Sequence, residues 1–320
     1  MNAEQSNPLV TVAMVTYNSA PYVRTAIASV LNQSYRNFEL IIGDDNSKDN
    51  TWEIVNSYGD ARIRTYRNAQ NLTQYPNRNR AMDLAQGKYI VYIDGDDVIY
   101  PHGLEFMVRM LEAFPECGMA VLSRYRSNLI FPVAISPHQF FTAEFFDKGF
   151  ISTALTHVVF NTSVLKQVGG FPNRHISSDI SVRYNIALRY PSLLINDHVT
   201  WWRETPGQQS SKVKHSMRGL LESIEQKRDI LNDPLCPFTD SEKKEGFYNL
   251  NFNTFWIAAR RLAKLNLKHF AQLWPYLSLQ PRLLWRSPIR RNPFEGHTSA
   301  NPVMVDFEKN PFSPGSRHRA

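Results

Sequence analysis

The sequence predicts a doubly wound α/β sheet, and three observations predict it. Short apolar, β-rich runs alternate with amphipathic helical patterns through about residue 125. The runs are continuous rather than polar on every second residue, as in strands buried on both faces. Acidic and amide residues gather at the carboxyl ends of these runs, where such sheets bind ligands.

The first strand is Val10 to Thr16 (VTVAMVT), followed by a helical pattern from Pro21 to Gln33. Phe38 to Gly43 (FELIIG) is the second strand and Thr51 to Tyr58 the second helix. Asn50, with Glu53 three residues on, has the spacing of a capping pair for that helix. Ile63 to Tyr66 and Tyr89 to Ile93 (YIVYI) are further strands, with helices at Asn77 to Gln86 and Pro101 to Phe114. The pattern then loosens. Asn128 to Pro137 reads as a loop or short hairpin, Phe140 to Phe150 is aromatic-rich, and Leu155 to Phe160 reads as a strand. Thr162 to Val168 is a short helix ended by Gly169-Gly170, and Ser178 to Arg189 is another. Leu193 to Ile195 and Val199 to Trp202 are strands; from His215 helical patterns run to about Leu267. Asn292 to Ala320 has the Pro, Gly and Ser content of a disordered tail. The expected organisation is a sheet domain over 1–212, a helical extension over 213–291 and a tail over 292–320.

The 320 residues are 42% hydrophobic and 20% charged, values ordinary for a soluble globular protein. Cys117 and Cys236 lie far apart without metal-ligand spacing, which argues against a disulfide framework and for a reducing cytoplasm. No signal peptide and no apolar run of about 18 residues is visible. The net charge of +7 comes from the C-terminal part: between Trp256 and Ala300 basic residues face one acid, Glu295. No nucleic-acid-binding motif accompanies that charge, so nucleic acid is not an expected partner.

Asp94-Gly95-Asp96-Asp97 carries the strongest chemical signal. Carboxylates separated by one small residue at a strand end suit a hard divalent cation such as Mg²⁺ or Mn²⁺, which keeps waters and substrate phosphates in its shell. The alternative reading is an ordinary Asp/Gly turn. Asp44-Asp45-Asn46-Ser47 invites a calcium-loop reading, which fails because Asn50 and Asn56 stand where Gly and Glu are required. An Asx turn before the next helix is the remaining reading there. No P-loop, G-x-G-x-x-G, G-x-S-x-G or H-E-x-x-H pattern is present.

Together these segments closely resemble the family 2 glycosyltransferases with the GT-A fold, a mixed Rossmann-like sheet with helices on both faces. The matching text is VTVAMVTYNSAPYVRTAIASVLNQSYRNFELIIGDDNSKDNTWEIV, NRNRAMDLAQGKYIVYIDGDDVIYP, VLKQVGGFPNRHISSDISVRYNIALRYP and WWRETPGQQSS, within residues 8–211. The resemblance implies inverting transfer of a sugar from a nucleotide-diphosphate donor, UDP-linked by expectation, to an acceptor hydroxyl in surface-glycan synthesis, with Mn²⁺ or Mg²⁺. Val15, Thr16, Tyr17 and Asp45 would border the nucleotide base. Asp94 of the D-x-D element would lie near the ribose, and Asp96 would carry the metal with Asp97 in support. Arg78 matches a donor-side arginine, its alternative being a solvated helix charge. Arg203 would reach a phosphate, its alternative being a surface ion pair. Asp179 would be the catalytic base, following Gly169-Gly170-Phe171; its alternative role is helix capping through Arg189.

Two positions depart from the family pattern. Ser178 replaces the Glu that usually precedes the base, and Thr205 stands where relatives often carry His. Beyond about residue 215 the resemblance ends. Leu267 to Trp285 interleaves aromatic and leucine side chains with Lys and Arg, as in a segment lying on an anionic membrane. Pro275 and Pro281 exclude one continuous helix there. Expected partners are therefore the nucleotide-diphosphate sugar, a glycan or lipid-linked acceptor, and a membrane surface through 267–291. Packing of that stretch on the catalytic domain or on a second subunit, as in a homodimer, is the alternative. Two rival functions remain at this level. A sugar nucleotidyltransferase would need a Gly-rich basic loop where Asn18-Ser19-Ala20-Pro21 stands; a non-catalytic nucleotide-sugar-binding protein rests on Ser178 alone.

Overall fold

A computed structural model describes residues 7–122, 131–151, 153–195, 199–204, 216–263, 267–276 and 287–293. β1 (Val10–Thr16), β2 (Phe38–Asp44), β3 (Ile63–Arg67) and β4 (Tyr89–Tyr92) alternate with α1 (Val23–Leu31), α2 (Thr51–Asn56) and α3 (Gln74–Leu84). β5 (Val98–Ile99), α4 (Gly103–Ala113) and β6 (Met119–Leu122) follow. Then come β7 (Val133–Ile135), α5 (Pro137–Phe146), β8 (Val158–Asn161), α6 (Thr162–Gln167), α7 (Ser178–Ala187), β9 (Ser192–Ile195) and β10 (Thr200–Trp201). The C-terminal helices are α8 (Met217–Asn232), α9 (Asp240–Ala263) and α10 (Leu267–Leu273).

The main sheet runs β3-β2-β1-β4-β8-β6-β9-β7. β1 to β4 pair in parallel, as do β6 and β9, while β8 enters antiparallel between β4 and β6. The continuous apolar runs are explained by two cores. Val12, Met14, Leu40, Ile42 and Val91 feed one, and Ala13, Ile41, Ile90 and Tyr92 feed the other. Successive side chains point to opposite faces, so each strand needs apolar residues at every position.

Four expectations need correction. Asn50 makes no side-chain cap bond; Asp49 supplies it, its Oδ1 accepting Thr51 N–H at 3.0 Å and its Oδ2 accepting Ala20 N–H at 3.1 Å. α3 begins at Gln74, three residues before the expected start, because Pro76 falls in its first turn, where a missing N–H is harmless. Within the expected strand Leu155 to Phe160, the first three residues form a 3-10 turn and β8 follows. The stretch expected to be a loop or short hairpin contains β7, which pairs antiparallel with β9, and Ser136 with Gln139 forms a capping box that starts α5; 128–130 lie outside the described residues.

The C-terminal helices share a small core of their own, Met217, Ile224, Leu250, Ala258 and Leu273, and also join the core of the sheet. Ile230, Leu231, Cys236 and Phe238 belong to the same buried cluster as Tyr92, Phe160 and Phe171. A further helix, α10, occupies Leu267–Leu273, past the expected end near Leu267. Leu273 is fully buried, with Phe270 and Tyr276 packed beside it on α8 and α9, so this part of the expected interfacial segment turns inward. Trp274 and Leu267 remain exposed, and 277–286 lie outside the described residues. No helix among the described residues is long and apolar enough to cross a membrane.

Candidate active site

The carboxyl ends of β1, β2 and β4 meet at one rim. Asp45 N–H donates to Thr16 O at 2.9 Å, and Gly95 N–H donates to Val15 O at 3.2 Å. A Cβ on Gly95 would stand 2.7 Å from Thr16 Cγ2, so the tight turn at the D-G-D-D segment requires glycine. Asn18 N–H donates to Ser47 Oγ at 2.9 Å and Lys48 N–H donates to Asn18 Oδ1 at 2.8 Å, lacing the two loops together. Asn18 and Asn46 both have positive φ, which asparagine tolerates. Asp44 is buried and held by Thr16, Ser47 and Arg67; it shapes the loop rather than facing the rim. Tyr17, at the open end of β1, is exposed.

Asp45 is buried, and its Oδ1 accepts from Asn68 Nδ2 at 2.8 Å and Leu72 N–H at 2.9 Å. The carboxylate thereby gathers the loop leading to Thr73, whose φ of +73° is unusual for a β-branched residue. α3 follows directly. Asn77 fixes that helix to the sheet by donating to Gly43 O at 2.9 Å.

Arg78, read from sequence as either a donor-side or a solvated charge, is buried and pairs with Asp94 Oδ2 at 2.6 Å. Burial opposes its charge, but Asp94, Tyr75 and Asp179 outweigh that and raise its pKa. The other Asp94 oxygen, Oδ1, is buried without a partner. Asp97 is also buried; burial, then the Asp94 and Asp96 charges, pushes its carboxyl up to about 8, although Arg203 N–H donates to its Oδ1 at 3.0 Å. Asp96 is half-buried beside it. This is a carboxylate group with more negative charge than Arg78 alone balances, which fits a hard cation. Among the described residues no cluster of three or more His, Cys, Asp or Glu encloses such an ion. Asp94 and Asp96 offer carboxylate oxygens of the kind a hard divalent cation takes together with water and phosphate.

Asp179 lies in the first turn of α7, with its side chain 23% exposed. Tyr75 Oη donates toward its Oδ1 at 3.0 Å and toward Ile176 O at 2.7 Å. Arg183 pairs with Oδ2 and also donates through Nε to Asp179 O at 2.8 Å. The partner at the helix is thus Arg183, one turn on, rather than Arg189, which bonds Asn185 O. Burial, then the Asp179 charge, raises the Tyr75 pKa, so the phenol stays protonated as a donor. Gly169-Gly170-Phe171 is clamped to α3: Phe171 N–H and O both bond Asn79, each at 2.8 Å. Gly170 has φ +66°, and a Cβ there would lie 2.5 Å from Asn79 Oδ1. Ser178 is buried, and its hydroxyl donates to His175 O at 2.8 Å. Thr205 lies outside the described residues.

Arg203 lies against the D-G-D-D turn. Its Nε donates to Asp96 O at 2.9 Å, and its guanidinium lies 4.8 Å from the Tyr22 ring centre and 4.5 Å from that of Trp201. The rings pre-orient the cation. Tyr22, Trp201, Trp202, Arg203 and Glu204 line a cleft of about 520 Å³. Tyr75, Arg183, Tyr22 and Trp201 were not singled out from sequence. The Asp179–Arg183 spacing of four could have flagged one of them; the Tyr75 contact spans 104 residues and leaves no local signal.

A mixed sheet of this order with a D-G-D-D turn at its carboxyl rim places the chain in the GT-A class of folds. Residues 11–166 match the family described as Glycosyl transferase family 2, and the chain carries a domain of that family. Among its relatives, the UDP-Glc:alpha-D-GlcNAc-diphosphoundecaprenol beta-1,3-glucosyltransferase WfaP of Escherichia coli is 38% identical over 89 residues, 28% of this chain and 36% of that protein. An uncharacterized glycosyltransferase of Methanocaldococcus jannaschii is 38% identical over 116 residues, 35% of this chain and 40% of that protein. The chain thus spans less than half the length of these curated relatives. Among solved structures, S. aureus TarS 1-349 in complex with UDP-GlcNAc aligns with TM-score 0.60 at 20% identity, covering 76% of this chain and 72% of that one. Mannosyltransferase PcManGT from Pyrobaculum calidifontis, in complex with GDP-Man and Mn2+, aligns with TM-score 0.57 at 18% identity, covering 88% and 86%. At these identities the structural matches speak to the fold.

Proposed function

We propose that the chain is an inverting glycosyltransferase that moves a sugar from a nucleotide-diphosphate donor to an acceptor hydroxyl. One observation carries the reading: α3 joins the D-G-D-D rim, through Arg78, to the carboxylate of Asp179, through Tyr75. The groups proposed for the donor and for the acceptor proton are thus both held by one helix. Val15, Thr16, Tyr17 and Asp45 border the nucleotide base, Asp94 the ribose, and Arg203 a phosphate. Asp96, with Asp97 behind it, would hold Mn²⁺ or Mg²⁺, which supplies Lewis-acid neutralisation of the diphosphate charge. Asp179 accepts the proton of the acceptor hydroxyl as that oxygen bonds the anomeric carbon. The bond from that carbon to the diphosphate oxygen breaks on the opposite side, inverting the centre. Tyr75 and Arg183 hold the carboxylate aimed, and its 23% exposure leaves it reachable.

The name of WfaP, which specifies UDP-Glc and a diphosphoundecaprenol-linked acceptor, supports a UDP-sugar and a lipid-linked glycan. Exposed Trp274 and Leu267, beside Lys268, support peripheral contact with the membrane that would carry such an acceptor. Flotation with vesicles containing anionic lipid tests that contact; absence of the protein from the floated fraction removes it. The donor reading is tested by thermal stabilisation with UDP and GDP, each with and without Mn²⁺, because a ligand of the folded state raises Tm. A shift with one nucleotide that EDTA reverses and Asp96→Asn weakens is expected. No shift with either nucleotide contradicts the reading.

A further inference from the structure

The helices beyond the family-matched segment reach back to the loop that carries the candidate base. Glu222, in the middle of α8 and 7% exposed, accepts the Ile176 N–H on its Oε2 at 2.7 Å. Its other oxygen accepts from Arg218 Nε at 3.0 Å. Gln226, one turn along and 5% exposed, donates through Nε2 to Ser177 O at 3.2 Å and Ser181 Oγ at 2.9 Å. These partners bracket Asp179 in sequence: two lie just before it and one lies two residues after it.

The Ile176 peptide is held from two directions. Its N–H goes to Glu222 of α8, and its carbonyl accepts from the Tyr75 hydroxyl of α3. Tyr75 has one hydroxyl proton and shares it between Ile176 O and Asp179 Oδ1. Where the Ile176 peptide sits therefore sets how that proton is divided and where the Asp179 carboxylate points. A carboxylate bonded to a backbone N–H is among the stronger neutral-pH contacts, and burial of Glu222 makes this one costly to break. Ser178, in the same turn, bonds His175 rather than Ile176, its hydroxyl donating to His175 O at 2.8 Å.

We propose that α8 is a positioning element for the base: Glu222 and Gln226 fix the turn before α7 so that Tyr75 and Asp179 hold their catalytic geometry. The inference rests on Asp179 being the base. It gives the C-terminal extension a part in turnover with no direct contact to donor or acceptor.

The test uses the full chain as wild type, Asp179→Asn, Glu222→Ala, Glu222→Gln and Gln226→Ala. Hydrogen exchange is followed over 174–181, and nucleoside diphosphate release from UDP-glucose, UDP-N-acetylglucosamine and GDP-mannose with Mn²⁺ is measured. Glu222→Ala is expected to speed exchange over 174–181 but not over 89–97, and to lower kcat about 10-fold with donor KM unchanged. Gln226→Ala should act in the same direction. Glu222→Gln, which keeps an acceptor oxygen, should restore most of both. Unaltered exchange in Glu222→Ala, or faster exchange with unaltered kcat, overturns the inference alone. Full turnover by Asp179→Asn, or no release by wild type from any of the three donors, overturns the base reading and this inference with it.

Discussion

Tyr75 and Arg78 stand three residues apart on α3 and serve two different carboxylates, Asp179 at 3.0 Å and Asp94 at 2.6 Å. That spacing places both on one face of a helix. A single rigid element thereby sets the distance between the rim proposed for the donor and the proposed base. Asn77 and Asn79 anchor the same helix to β2 and to Phe171, so the relationship does not depend on a mobile loop.

Tyr75→Phe removes the hydroxyl but keeps the ring stacked on Phe171, 5.9 Å away. Asp179 then retains Arg183 as its side-chain partner and loses aim more than charge. Turnover should fall about 10-fold while Tm drops by only a few degrees. Unchanged kcat would show that the hydroxyl is not part of the catalytic arrangement.

Arg78→Ala leaves Asp94 facing Asp96 and Asp97 without its cation. Asp94 is 29% exposed on its side chain, so the loss is discounted to about 2 kcal/mol from the larger values of fully buried pairs. Asp94→Asn placed on that background should recover part of the loss. A double-mutant cycle of denaturation free energies reads this directly; strict additivity would mean that the two side chains are not coupled.

Glu242 ties α9 to both ends of its surroundings, meeting His138 at 3.0 Å and Arg291 at 3.1 Å. Burial disfavours its charge, but hydrogen bonds from the Thr239 backbone and side chain, and His138, leave its pKa lowered from 4.5. A depressed folded value gives stability that is complete above the unfolded pKa and lost as pH falls through the folded one. The Tm gap between wild type and Glu242→Gln should thus be present at pH 7 and close on acidification below 4.5. A gap that stays constant down to pH 3 would exclude this role.

The sheet half of the molecule was legible because its physics is local. Strands buried on both faces must be apolar throughout, and β1 has the bounds expected for it. Errors fell where neighbours decide: Pro76 hid the start of α3, and Asp49 rather than Asn50 caps α2 because Asp49 also reaches Ala20 in another loop. In the candidate site, the carboxylates were legible as Asp/Gly clusters at strand ends. Tyr75, Glu222 and Gln226 were not, since their meaning lies in contacts across 45 to 104 residues. The inward turn of Leu273 was equally hidden, because an aromatic and basic stretch reads alike whether it covers a core or a membrane.

The most direct measurement is a paired assay on Asp179→Asn: sugar transfer from the donor whose nucleotide stabilises the wild type, and Mn²⁺-dependent binding of that nucleotide. The account predicts that transfer is lost, by about 100-fold or more, while binding is within about twofold of wild type. Transfer at the wild-type rate, or loss of binding together with transfer, would contradict it.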